Sequence, residues 1–370
     1  MKVLHICDFA GNLGNAIRIL KIRDYLSREN DVQFINVASA YKPQEKLLVH
    51  PHAMFRIIRR RVGSSKGRLT DLEARIIVAE DLLRAAAKRS SPDIIWSEGP
   101  VGAAASIRMF GGSIPVVADM HGIGSAENAN GTGSETVEYE KSVEALLFSK
   151  SFRVIVVSKP MKDYLLEVHR VDRERISIIP NGSEVRQETA RYREPHRAIF
   201  GGIFADWEDP DSYLDLAKRD PRTEFYLAGT GPLENHIRER IRKERIGIHY
   251  LGSLSYGAAI TTFTSMTVGL APSSDTLARK VACPIKVFDY LSCGLPVITV
   301  NVGEWAEIVS NNRCGFVTEK SDAEEFDRCL RQLDKPTWEE MSANGLRLIA
   351  NQYNWNRLLG GIDEILRACR

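Results

Sequence analysis

Lys286 and Asp289 stand three residues apart in the stretch PIKVFDYLSCGLPVITVN, residues 284–301, where they supply one cation and one carboxylate. A short helix is predicted over residues 285–291. Its start leaves backbone N–H groups unpaired and carries a partial positive charge, so Pro284, Ile285 and Val287 with the Lys286 ammonium form a setting that favours a phosphate. A second setting of this kind is the glycine-bearing loop after the first predicted strand, with Gly11, Gly14 and Asn15. Such a turn either brings backbone N–H groups close to a phosphate or sugar, or simply serves a position that needs φ > 0. Its spacing is not the dinucleotide G-x-G-x-x-G, which argues against a nicotinamide cofactor.

The elements around these residues read as an α/β chain. The helix over 285–291 is apolar on Ile285, Val287, Phe288 and Leu291, which leaves Lys286, Asp289 and Tyr290 off the centre of its stripe. Gly294 is placed to end the helix and Pro296 to forbid its continuation. The strand that follows, over 297–300, is apolar and branched throughout, as expected where helices cover both faces of a parallel sheet. Further strands are predicted over 3–7, 32–37, 92–96, 115–119 and 152–157, and again from 198, 223, 248, 267 and 314, with helices between them. Residues 187–196 are charged and poor in apolar side chains, and read as a linker between two such successions. A length of 370 residues agrees with two domains.

Composition narrows the functional classes. The formal net charge is only +2, so charge gives no case for nucleic-acid binding. The six cysteines show no metal-type spacing, no His/Asp/Glu cluster has it either, and a reduced, cytoplasmic chain is expected. No signal-peptide core or membrane-length apolar run is evident. Locally, residues 50–68 are basic, with Arg56, Arg59, Arg60, Arg61, Lys66 and Arg68 interleaved with Phe55, Ile57 and Ile58. That stretch reads as a peripheral contact with an anionic bilayer, as a dock for an acidic acceptor, or as an ordinary solvated helix and loop.

The stretch around Lys286, Asp289, Tyr290, Leu291, Cys293, Gly294, Pro296 and Val297 resembles the donor-site signature of retaining glycosyltransferase family 4. Further landmarks occur in that family's order: PDIIWSEGP at residues 92–100, Asp119-Met120-His121-Gly122, Ile176 to Gly182 with Pro180-Asn181-Gly182, Thr223 to Leu233 with Gly229, Thr230 and Gly231, Ile248 to Gly252, and Cys314-Gly315-Phe316-Val317. The resemblance covers nearly the whole chain. It implies a GT-B fold, two facing Rossmann-like, doubly wound domains with a cleft between them. The first would span 1–185 on the acceptor side, followed by a linker 186–197. The nucleotide-sugar domain would span 198–351, and a last helix in 352–370 would cross back to the first domain.

On this resemblance the protein would be a metal-independent, retaining hexosyltransferase without a cofactor. It would use a nucleoside-diphosphate sugar, UDP-sugar by preference, and a hydroxyl of a glycan, lipid-linked or small-molecule acceptor. His121 and Asp119 would act at the sugar or acceptor side, and Lys286 would meet the diphosphate. Asp289 would accept hydrogen bonds from the ribose. Gly201 and Gly202 would allow close backbone approach, and Gly229, Thr230 and Gly231 would line the nucleotide. The chain also departs from the family. No basic residue follows Gly202 before Lys218, and Val281 stands where a second acid is common. The alternatives are a catalytically silent homologue that binds a sugar nucleotide or a protein, and a sugar-nucleotide epimerase of similar two-domain fold.

Overall fold

The computed structural model describes residues 1–9, 14–40, 70–128 and 133–369. Gly11 and the basic stretch 50–68 lie outside the described residues. Strands form where branched and apolar residues run together, and they pair into two parallel six-stranded sheets. The first holds β1 (Lys2–Cys7), β2 (Asp31–Asn36), β3 (Ile94–Glu98), β4 (Val116–Met120), β5 (Arg153–Val156) and β6 (Ile176–Ile178), in the order β2-β1-β3-β4-β5-β6. The second holds β7 (Arg197–Ile203), β8 (Glu224–Thr230), β9 (Ile248–Gly252), β10 (Val268–Ala271), β11 (Val297–Val300) and β12 (Gly315–Thr318), in the order β12-β11-β10-β7-β8-β9. Counted from β7, this is the doubly wound order of a Rossmann sheet. The order reverses between β1 and β3 in one sheet and between β7 and β10 in the other. Ligands of such sheets bind outside the carboxyl ends of the strands at those reversals.

One compact unit takes in β1, Asn15–Ile179 and Leu359–Arg370; the other takes in Pro180–Leu358. The second unit starts at the Pro-Asn-Gly turn because Asn181 anchors it there, its side-chain amide donating to the Cys283 carbonyl at 2.6 Å. The last helix expected in 352–370 is instead two pieces, Trp355–Leu358 and Gly361–Ala368. Gly360 and Gly361 break it, since paired glycines are poor helix formers, and the change of unit falls at this break.

The helix Ile285–Ser292 is buried at every position but Lys286. One side lies on β10 and β11, and the other packs on the helix Lys335–Asn351. The amphipathic reading therefore understated its burial: Asp289 and Tyr290 are inside as well. Gly294 adopts φ 77°, and the Gly294 and Leu295 N–H groups close onto the Leu291 and Tyr290 carbonyls, as the sequence predicts for a glycine-ended helix.

Candidate active site

In the second unit, Lys286, Arg279 and Glu208 form a nearly buried charge cluster beside the carboxyl ends of β7 and β10. Lys286 sits in the first turn of the helix Ile285–Ser292, Arg279 on the short helix Leu277–Lys280, and Glu208 on the turn Asp206–Glu208 after β7. The Lys286 ammonium pairs with Glu208 Oε2 and lies 4.4 Å from the centre of the Phe200 ring. A Cβ placed on Gly202 would stand 3.1 Å from that ammonium, so the glycine leaves the space that Lys286 fills. Arg279 donates to Glu208 Oε1 at 3.1 Å and from Nε to Ser273 at 3.0 Å, with its guanidinium over Trp305. Its Nη2, however, is buried without a hydrogen-bond partner among the described residues.

Two cations thus face one carboxylate. Burial presses the Lys286 pKa below its ordinary value, Arg279 adds to this and Glu208 opposes it. Burial disfavours the Glu208 carboxylate, but the charges of Arg279 and Lys286 outweigh this and hold its pKa low. The cluster keeps a net positive charge and one unsatisfied guanidinium donor, which is the demand that an anion would meet.

Asp289 lies deeper. Its Oδ1 accepts from the Ser183 hydroxyl at 2.5 Å and from the Tyr256 hydroxyl at 2.8 Å, and Arg186 stands 3.9 Å away. Burial raises its pKa to about 6 although Ser183, Tyr256 and Arg186 all favour the charged form. Between the ordinary value of 3.8 and about 6 the folded state therefore binds more protons than the unfolded chain, and this group's contribution to stability falls as pH rises through that window. Asp289→Asn is expected to gain stability relative to wild type over the same window, by on the order of 3 kcal/mol. Urea unfolding at a series of pH values checks this, and parallel curves for the two proteins would contradict it.

In the first unit, one face of the sheet gathers His5, Trp96, Glu98 and Asp119. Parallel register sets His5 opposite Trp96, Cys7 opposite Glu98 and Glu98 opposite Asp119, and side chains two apart along a strand share a face. Glu98 Oε1 accepts from His5 Nε2 at 2.9 Å and from Trp96 Nε1 at 3.1 Å, while Oε2 faces His121 Nε2 at 2.9 Å. Burial works against the Glu98 carboxylate, but the hydrogen bonds from His121 and His5 prevail and hold its pKa at about 2. Asp119 is fully buried and takes a two-pronged pair from Arg18, with Nη2 at 2.9 and 3.0 Å from its two oxygens. Burial and the nearby Glu98 charge still raise the Asp119 pKa, against Arg18 and His121. Glu98, Asp119 and His121 place three ligand-type atoms within 4.8 Å of one another. Both Asp119 oxygens accept from Arg18, and both Glu98 oxygens face ring nitrogens.

The remaining predicted positions are distributed as follows. Gly14 and Asn15 open the helix Gly14–Leu26. The Gly201 N–H donates to the Tyr290 hydroxyl at 2.7 Å. Gly229 lies opposite Gly202 across the β7–β8 ladder, where a Cβ would meet the Gly202 carbonyl at 1.8 Å, so close backbone approach excludes any larger residue. Gly231 is similarly close to the Phe204 backbone, and Thr230 donates to Glu234 at 2.5 Å. Pro284, Ile285, Lys286 and Val287 form the start of the signature helix. His121 and Asp119 stand at the end of β4 in the first unit, and the Lys286 group in the second. Sequence reasoning missed His5, Arg18, Glu98, Glu208 and Arg279. The available signals were a histidine inside the apolar run VLHIC, for His5, and an acid at the end of a buried strand, for Glu98.

A sequence model of "Glycosyltransferase Family 4" matches residues 16–187, and one of "Glycosyl transferases group 1" matches residues 212–335. D-inositol 3-phosphate glycosyltransferase of Mycolicibacterium smegmatis is 22% identical over 248 residues, or 61% of this chain and 55% of that protein. The chain spans between 10% and 65% of the length of the curated relatives it matches. Sucrose-phosphate synthase from Thermosynechococcus elongatus has a similar structure, with TM-score 0.80 at 13% identity over 100% of this chain and 99% of that one. Anabaena HepE in complex with UDP-glucose gives TM-score 0.74 at 15% identity over 100% of both chains. With the two family matches falling in order on two doubly wound units, the chain belongs to glycosyltransferase family 4 and has the GT-B fold.

Proposed function

We propose that the protein is a retaining glycosyltransferase that moves a hexose-type sugar from a nucleoside-diphosphate sugar, UDP-sugar by preference, to a hydroxyl of a glycan, lipid-linked or small-molecule acceptor. The observation that carries this reading is the buried Arg279–Glu208–Lys286 cluster, with its excess cation and the unpartnered Nη2 of Arg279. A diphosphate would satisfy that donor and balance that charge. Arg279 supplies the second cation that the stretch after Gly202 lacks, and Glu208 in that stretch keeps both cations in place. As the sugar leaves, negative charge grows on the diphosphate, and fixed cations stabilise it without reorganisation. Two cations at this point would take the role that a divalent ion plays elsewhere, so no metal is required. The HepE complex with UDP-glucose supports the choice of UDP.

Asp289, His121 and Asp119 enter the proposal with narrower roles. Asp289 would reach the ribose by way of its second oxygen or by exchange with Tyr256. His121, with Asp119 beside it, would act on the sugar side. A thermal-shift series with UDP, GDP and ADP, followed by assay of nucleoside-diphosphate release from the matching sugar donor, tests the function. Stabilisation by one of the three with release only when acceptor is present is expected. Stabilisation without release would favour a silent binding homologue, and interconversion of the donor sugar an epimerase. Turnover in EDTA is expected to equal that in its absence, and a requirement for Mn²⁺ at saturating donor would contradict this.

Among the described residues, no helix is long and apolar enough to cross a membrane. A peripheral contact through residues 50–68 belongs to the same proposal. Sedimentation with anionic vesicles is expected for wild type and lost when Arg59, Arg60 and Arg61 are changed to Ser. Equal sedimentation of both proteins would remove this contact from the account.

A further inference from the structure

We propose that Glu98 is a positioning residue: the buried chain His5–Glu98–His121 locks the His121 ring with its proton on Nε2 and presents Nδ1 as the working nitrogen. The inference rests on the glycosyltransferase reading for what Nδ1 meets, a hydroxyl or carbonyl of the sugar or acceptor, but not for the lock itself.

The lock follows from hydrogen-bond accounting. Glu98 is nearly fully buried and its oxygens face three ring nitrogens, His5 Nε2 and Trp96 Nε1 at Oε1 and His121 Nε2 at Oε2. Indole N–H only donates, and an ionised carboxylate only accepts. Every nitrogen that faces Glu98 must then carry a hydrogen, which fixes Nε2–H on both histidines. His5 is fully buried and its Nδ1 has no hydrogen-bond partner. Among the described residues the contact of its Nε2 with Glu98 is therefore the one polar contact of the His5 ring. His121 differs, since its side chain is 12% exposed and its Nδ1 bonds to no described residue. Asp119 Oδ1 stands 3.9 Å from the same Nε2, beyond hydrogen-bond reach, and Arg18 holds that carboxylate. Glu98 alone therefore sets the tautomer. The unused capacity of the cluster is one imidazole nitrogen at the carboxyl end of β4, one strand beyond the β1–β3 reversal, and ligands of such sheets bind outside the carboxyl ends of the strands.

The test reads the tautomer directly in the full-length protein without substrate. Long-range ¹H–¹⁵N spectra of ¹⁵N-histidine-labelled protein, at a pH where imidazole is neutral, are expected to show His121 with a protonated Nε2 and a bare Nδ1. An Nδ1–H form in wild type would overturn the proposal without any mutation. In Glu98→Gln the acceptor that sets the tautomer is partly replaced by an amide donor, and mixing or reversal of the His121 tautomer is expected. His5→Phe leaves Glu98 with Trp96 and His121 and is expected to keep the wild-type tautomer. An unchanged tautomer in Glu98→Gln, or its loss in His5→Phe, would each overturn the assignment to Glu98. In the kinetic arm, Glu98→Gln is expected to lower kcat by about tenfold or more while donor KM stays within about threefold, the pattern of a misplaced group and not of lost binding. Unchanged kcat with an altered tautomer would overturn the working role of Nδ1. Absence of any turnover in wild type would instead count against the proposed activity and leave the tautomer result standing.

Discussion

Lys286→Ala is expected to lower kcat/KM for the sugar-nucleotide donor by about 10- to 100-fold, with kcat falling along with affinity. One charge-assisted contact to phosphate is worth about 1.5–3 kcal/mol, and each 1.36 kcal/mol is a factor of ten. The fall in kcat is the informative part, because negative charge on the diphosphate grows as the sugar leaves. Stability should respond differently. Burial and Arg279 already press the ammonium toward its neutral form, and Glu208 keeps Arg279 as a partner after the lysine is gone. The melting temperature is therefore expected to hold or rise slightly, since an excess buried cation has been removed. Lys280→Ala is the control: it lies close by, more than half exposed and paired with Asp275, and should leave kinetics unchanged. Loss of folding in Lys286→Ala, or full activity, would contradict the assigned role.

Arg18→Met should be the most damaging single substitution for the fold. Arg18 and Asp119 are both fully buried, 101 residues apart in sequence, and joined by a two-pronged ion pair. Removing one partner of such a pair leaves an uncompensated charge in the interior, at a cost of about 3–5 kcal/mol. Asp119 has a second option, because burial and Glu98 already raise its pKa. Without Arg18 it should bind a proton, so the loss should shrink as pH falls and grow as pH rises. Arg18→Met with Asp119→Asn together should recover part of it. Denaturant unfolding of wild type and these two variants at two pH values checks this, and a loss below about 1 kcal/mol in Arg18→Met would contradict it.

Local signals made much of the fold legible. Gly294 and Pro296 ended the signature helix, and apolar branched runs marked the strands. The candidate site was legible only in part. Lys286 stood out because it lies in the first turn of that helix. Its partners did not, since Glu208 and Arg279 reach it only after β7 and β10 are brought side by side, and Glu208 precedes it by 78 residues. His5 and Glu98 are likewise 93 residues apart and meet only through the β1–β3 register. The burial of Asp289 was hidden for another reason: helical periodicity assumes a solvated face, and Ser183, Arg186 and Tyr256, distant in sequence, close over Asp289 here.

Calorimetric titration of wild type and Arg279→Met with the nucleoside diphosphate selected by thermal shift, and with its parent nucleoside, tests the central claim most directly. The account predicts that the diphosphate binds wild type and loses about tenfold or more in affinity in the variant, while the nucleoside binds both alike, because only the phosphates meet the unpaired Nη2. Equal diphosphate affinity in the two proteins, or an equal loss for nucleoside and diphosphate, would contradict it.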